Sequence, residues 1–260
     1  VSAFARVDGL RVHYALGGSD GAPVVVLSHS LGADMSMWDP QLPALEPRFR
    51  VLRYDTRGHG RTDVPSGPYS LEELARDALG LLDALGLARV HFCGLSMGGM
   101  VGMWLGAHAP ARVDRLVLCN TAARIGTAEA WNARIDGVRR LGMRGVAPAV
   151  VERWLTPELR ARAPETAAAA LRLLEAAPAD GYVACCEAIR DADLGDALGA
   201  IRAPTLVVAG SGDRATPPAD GKALAEAIPD ARYVELPAAH LSNLEAPERF
   251  TAELLGFLLP

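Results

Sequence analysis

Two hydrophobic periodicities take turns along this chain. Val24-Val25-Val26-Leu27 is an unbroken apolar run, the pattern of a strand buried on both faces. The same kind of run returns at Val51-Leu52-Arg53-Tyr54, Val90 to Cys93, Arg115-Leu116-Val117-Leu118-Cys119 and Thr205 to Gly210. Between these runs the spacing turns helical. Leu71, Leu74, Ala75, Ala78, Leu82 and Leu85 follow a Ser70–Glu73 capping box, and Gly86 closes that segment. A short helix is expected around Trp38 to Leu45, and further helices from Ala219 to Ile228 and from Pro247 to Leu259, with the strand Arg232 to Leu236 between the last two. Near the start, Phe4 to Arg11 and Val12 to Leu16 read as two strands turning at Asp8-Gly9. Strands alternating with helices predict an α/β fold, a mainly parallel sheet with helices on both faces.

Strand signals stop from about Thr121 to Ala200. Leu141, Val146, Val150, Val151, Trp154 and Leu155 belong to short amphipathic helices, Thr156-Pro157-Glu158 marks a helix start, and Ala167 to Leu174 is strongly helix-forming. The predicted organisation is a core of residues 1–120 and 201–260, with residues 121–200 inserted as a helical cap.

Composition narrows the function. The 260 residues are 50% hydrophobic and 22% charged, an ordinary globular balance. A net charge of −5 gives no footprint for nucleic acid or an anionic membrane. Lys222 is the sole lysine, so positive charge is carried almost entirely by arginine. Cys93, Cys119, Cys185 and Cys186 lack metal-type spacing, and two of them fall in apparent buried strands. No basic-then-apolar leader and no run of membrane-spanning length is present, so a soluble, cytoplasmic protein is expected.

The chemistry concentrates at Cys93-Gly94-Leu95-Ser96-Met97-Gly98-Gly99. An apolar strand meets a Gly-x-Ser-x-Gly-Gly turn and a second apolar segment long enough for a helix, the order a nucleophile elbow requires. Ser96 is the candidate nucleophile. Gly94 and Gly98 remove bulk two residues either side of it, Gly99 lets the helix lie close, and the N–H of Met97 is placed to meet an oxyanion. A serine hydroxyl needs an oriented base. Asp213, just past a buried strand, and His240, just past the last strand, complete the order Ser, Asp, His. Asp191, Asp193, Asp196 and Asp220 are the competing acids, while Asn120 ends a strand but cannot ionise. Of the other histidines, His13 and His91 sit within strands, His108 ends a helix, and His29 and His59 occupy turns.

With these residues placed, the chain resembles the α/β-hydrolase superfamily over its whole length. More narrowly it resembles the 3-oxoadipate enol-lactonases of aromatic catabolism. The likeness rests on Ser28-His29-Ser30-Leu31-Gly32 with Met37-Trp38, on Arg53-Tyr54-Asp55-Thr56-Arg57-Gly58-His59-Gly60, and on the elbow. Leu118-Cys119-Asn120-Thr121-Ala122-Ala123-Arg124-Ile125-Gly126 and Asn243 with Glu245 extend it. The resemblance implies an α/β-hydrolase fold and a small anionic substrate, a five-membered enol lactone carrying a carboxymethyl group. It also implies a second oxyanion donor at the N–H of Leu31 and no metal or organic cofactor. A cation for the substrate carboxylate is sought in Arg124 and Arg134, which flank Trp131. Relatives fused to a decarboxylase exist, and a chain ending at Pro260 is expected to lack that second domain. Rival readings are another esterase or perhydrolase, a carbon–carbon hydrolase of ring-cleavage products, and a non-catalytic ligand-binding relative.

Overall fold

Apolar runs flanked by helical segments can bury both faces only by lining up side by side, and they do so here. The computed structural model describes residues 2–259. Its sheet has eight strands in the order β1-β2-β4-β3-β5-β6-β7-β8. The strands are β1 (Ser2–Val7), β2 (Leu10–Gly18), β3 (Val24–Ser28), β4 (Arg50–Tyr54), β5 (Val90–Leu95), β6 (Val113–Cys119), β7 (Thr205–Gly210) and β8 (Arg232–Leu236). The first hairpin is antiparallel, with Phe4 opposite His13, and β2 also runs antiparallel to β4. Every other pairing is parallel, including Val26 with Phe92 and Leu118 with Val207. Asp8 and Gly9 both take positive φ, 46° and 88°. That ends the first strand at Val7 rather than letting it run on to Arg11, because both turn residues lie in the region favoured by a tight hairpin.

The helices are α1 (Leu42–Leu45), α2 (Leu71–Ala84), α3 (Met97–His108), α4 (Ala128–Trp154), α5 (Pro157–Arg162), α6 (Pro164–Glu175), α7 (Ala179–Asp191), α8 (Pro218–Ala227), α9 (Ser242–Glu245) and α10 (Pro247–Leu258). Helix α2 opens with the predicted box: Ser70 N–H donates to Glu73 (2.8 Å) and Glu73 N–H to Ser70 Oγ (3.2 Å). Helices α4 to α7 fall between β6 and β7, where strand signals were absent. Gly142, at φ 67° and ψ 177°, breaks α4 into two pieces. Leu141 stands beside that break with 54% of its surface exposed, so it is not on the buried face its spacing suggested.

Helix α3 is apolar nearly all round and is buried along most of its length, as a helix enclosed by sheet and neighbours should be. Its N-terminus reaches the sheet only because side chains are missing. A Cβ on Gly94 would lie 2.0 Å from the carbonyl oxygen of Gly98, and one on Gly98 would lie 2.3 Å from that of Ser28. Gly99 serves a different neighbour from the one its spacing implied: its Cβ would meet the side chain of Thr121, just after β6, at 2.6 Å.

Because the atoms that Gly98 would strike are backbone, Gly98→Ala forces the helix and β3 apart. Chemical denaturation is expected to show a loss of about 1–3 kcal/mol, against a much smaller change for Gly256→Ala, where nothing lies within 4 Å.

Candidate active site

Strand β5 ends directly in Ser96, whose backbone sits at φ 58° and ψ −115°. A non-glycine residue rarely holds such angles without being clamped. Here Ser96 N–H donates to Cys119 O (2.9 Å), and Ser96 O accepts from Thr121 Oγ1 (2.8 Å) and Met100 N–H (3.0 Å). Met97 is the first residue of α3, so its N–H belongs to the first turn, whose amides have no partner within the helix. The N–H at Leu31 lies in the loop after β3. That loop is pinned on both sides: Gly32 N–H donates to His59 Nε2 (2.8 Å) and Ala33 N–H to Ser30 O (3.1 Å). His29 bridges the same region, accepting from Thr56 N–H (2.9 Å) while its Nδ1 lies 2.8 Å from Ser30 O.

Asp213 follows β7 and is buried. One carboxylate oxygen accepts from the N–H groups of Ala215 (2.8 Å) and Thr216 (3.1 Å). The other accepts from Thr216 Oγ1 (2.7 Å), Asn120 Nδ2 (3.0 Å) and His240 Nδ1 (2.8 Å). Burial alone would raise this carboxyl, but the His240 charge and the hydrogen bonds from His240, Asn120 and Thr216 outweigh it and bring it down to about 2. The carboxylate therefore stays ionised. It holds the imidazole by Nδ1, so that Nε2 is the nitrogen not engaged by the carboxylate. Among the competing acids, Asp191 and Asp193 are exposed and pair with Arg190 and Arg124.

The loop carrying His240 is fixed by residues that spacing did not single out for the purpose. Asn120, at φ 45°, donates from Nδ2 to Ala239 O (3.1 Å) and accepts on Oδ1 from Ser242 Oγ (2.5 Å). Glu245 accepts from Ala239 N–H (2.8 Å) and from the hydroxyl of Thr156. Leu241 N–H donates to Trp154 O at 3.0 Å. Asn243 ties the segment to residues 37–41, donating from Nδ2 to Met37 O (2.8 Å) and accepting on its backbone carbonyl from Gln41 Nε2 (2.9 Å).

Ser96, His240 and Leu31 border one cavity of about 240 Å³. Its far wall comes from α4: Trp131, Arg134, Val150, Arg153 and Trp154. Trp131 donates from Nε1 to Ile125 O (2.6 Å), and the Arg134 guanidinium lies 4.7 Å from its ring centre. Arg214, beside Asp213, borders the cavity as well. Arg153 and Arg214 were not anticipated, since nothing in their local pattern separates them from solvated arginines. Arg124 must be corrected the other way. Its side chain is 56% exposed and reaches toward Asp193 at 3.6 Å, and it does not border the cavity. It is dropped as a substrate ligand.

The remaining histidines have structural partners. His13 pairs with Asp55 (2.6 Å), His91 with Asp114 (3.2 Å), and His108 Nδ1 lies 3.0 Å from Trp104 O. Ser2 Oγ lies 2.7 Å from His13 Nε2, which makes a second serine–histidine–aspartate chain. It sits on the edge strand rather than at a helix N-terminus. Its Asp55 also accepts from the N–H groups of Met35 and Arg61, both at 2.9 Å, so it clamps loops. Arg57 is structural too, gripping Asp77 through Nε (2.5 Å) and Nη2 (2.7 Å).

A strand–serine–helix elbow, an acid after β7 and a histidine after β8 define a class. Residues 23–247 match the α/β-hydrolase fold family model, and the chain belongs to that family. Among curated relatives, 3-oxoadipate enol-lactonase 2 of Acinetobacter baylyi is 41% identical over 93% of this chain and 90% of its own length. The crystal structure of the enol-lactonase from Burkholderia xenovorans superposes with a TM-score of 0.98 at 47% identity, covering 99% of this chain and 100% of that one. A thermophilic esterase from Thermogutta terrifontis, solved with malate bound, superposes at 0.92 with 31% identity over 99% and 98%.

Burial, then the neighbouring His29 charge, pushes His59 from its ordinary 6.5 down to about 3. Its stabilising neutral form is therefore intact above about 6.5, and below that the unfolded chain binds the proton first. Stability should fall by up to about 1.4 kcal/mol per pH unit as pH drops from about 6.5 toward 3. Asp213, held down to about 2, adds a second loss only below about pH 4. Urea midpoints measured across pH 4–8 should show the first slope, and His59→Gln should flatten it.

Proposed function

We propose that this protein hydrolyses 3-oxoadipate enol-lactone to 3-oxoadipate through an acyl-enzyme on Ser96. The observation that carries the reading is the His240–Asp213 hydrogen bond of 2.8 Å at the border of the cavity that Ser96 also lines. The likeness to enol-lactonases over nearly the full chain supports the substrate.

Ser96 Oγ attacks the lactone carbonyl while His240 takes its proton, and Asp213 stabilises the imidazolium that forms. The N–H groups of Leu31 and Met97 receive the oxyanion. Collapse of the tetrahedral intermediate opens the ring and expels an enolate oxygen, which His240 protonates. The resulting enol tautomerises to the ketone, removing the nucleophile that could close the ring again. Water activated by His240 then releases the acid. Arg134, braced over Trp131, receives the carboxymethyl carboxylate, an arrangement suited to a guanidinium fork. Residues 121–200 act as the cap that completes the pocket over the core. A cytoplasmic setting belongs to this reading, supported by four cysteines that are all buried and unpaired.

Steady-state turnover of the enol lactone tests the proposal, alongside p-nitrophenyl esters and ring-cleavage dienoates. Preferred turnover of the lactone is expected, and a folded enzyme that leaves it untouched overturns the assignment. Ser96→Ala and His240→Ala should each lower kcat by about 10⁴-fold or more. Labelling by a fluorophosphonate should map to Ser96. Arg134→Ala should raise KM for the anionic lactone about tenfold or more while changing KM for a neutral ester little; equal effects on both would remove Arg134 from carboxylate binding.

A further inference from the structure

Some arginines of this chain meet carboxylates, as Arg57 meets Asp77 and Arg190 meets Asp191. Arg134, Arg153 and Arg214 do not, and what sets them apart is where they lie. All three border the cavity of Ser96 and His240. Among the described residues none of them has a carboxylate within 4.0 Å, and no aspartate or glutamate borders the cavity. Burial, and then the charges of Arg134 and Arg214, lower the pKa of Arg153 against the opposing influence of Tyr182 and Glu152, so the like charges of the cavity wall act on one another. Gathering positive charge around a partly enclosed, largely apolar space with no carboxylate on its wall is unfavourable unless an anion arrives to offset it.

The proposed substrate brings one carboxylate, which Arg134 can satisfy alone. Hydrolysis creates a second one, because the lactone carbonyl leaves Ser96 as a free acid. We propose that Arg153 and Arg214 adapt the cavity to a dianion, making it a site for six-carbon dicarboxylates that holds the diacid product more tightly than any monoacid of equal length. The chain length in this inference rests on the proposed reaction; the surplus of positive charge does not. Arg134, Arg153 and Arg214 border one cavity of about 240 Å³, so a diacid held there finds more than one guanidinium group on the wall. The enzyme would then be inhibited competitively by its own product and by saturated analogues of it.

Calorimetric titration of the intact protein with adipate and with hexanoate tests this without any turnover. Adipate is expected to bind at least tenfold more tightly, with an advantage that shrinks as sodium chloride is raised, as screening of charge pairs requires. Arg214→Met changes an exposed loop residue and should fold normally, which near-UV circular dichroism checks. It and Arg153→Met should each cut the adipate-to-hexanoate affinity ratio several-fold, and the double variant should bring it close to one. Equal binding of the two acids by the wild-type protein overturns the inference, as does a ratio that survives in the folded double variant. Lactone turnover measured in parallel separates the two claims. Turnover without adipate preference removes the dianion site alone, whereas adipate preference without turnover keeps the site and removes the lactonase reading.

Discussion

The structure depends on one close backbone approach. Where β3, β5 and α3 meet, carbonyls and amides of three segments lie at distances that leave no room for a side chain at Gly94 or Gly98. That contact allows a helix N-terminus to point at the end of the sheet and holds Ser96 at a positive φ it would not keep alone. Hydrogen bonds from Ser96 to Cys119 and from Thr121 to Ser96 carry the constraint across to β6. Strain at Ser96 is thus distributed over closely packed, buried backbone, where local relaxation is costly.

From the end of β6 the constraint passes to Asp213 and His240. Asn120 touches both the Asp213 carboxylate and the loop that presents His240, and Glu245 secures that loop to the helical insertion through Thr156. Each oxygen of Asp213 is occupied by several donors, so the buried charge is satisfied rather than stranded. An imidazole held this way has little orientational freedom left to lose, which is the condition a preorganised site needs. Helix α4, between β6 and β7, adds a wall of opposite character: tryptophans beside the arginines Arg134 and Arg153. One face of the cavity carries the hydroxyl and the imidazole, the other the guanidinium groups.

Much of this was legible from order and spacing alone. Unbroken apolar runs separated by capped, helically spaced segments specify a parallel sheet, because a strand with two apolar faces must be covered on both. The glycine pattern around Ser96 specifies the elbow, since its steric demands act within five residues. Asp213 and His240 could be expected near one another because sites in such sheets gather where parallel strands end, and their side chains meet at 2.8 Å. These are local rules, and they survive translation into three dimensions.

What tertiary structure alone decided involves residues far apart in the chain. Arg124 and Arg134 look alike in sequence, yet one turns outward to Asp193 while the other stacks on Trp131 inside the cavity. Arg153 and Arg214 come from separate elements and share a space only once α4 lies across the loop after β7. Asn120 carries no nucleophile or charge, so its role in joining two loops appears only when both lie within reach of its amide. Periodicity records which face of an element is buried; it holds no information about which distant side chain will stand opposite.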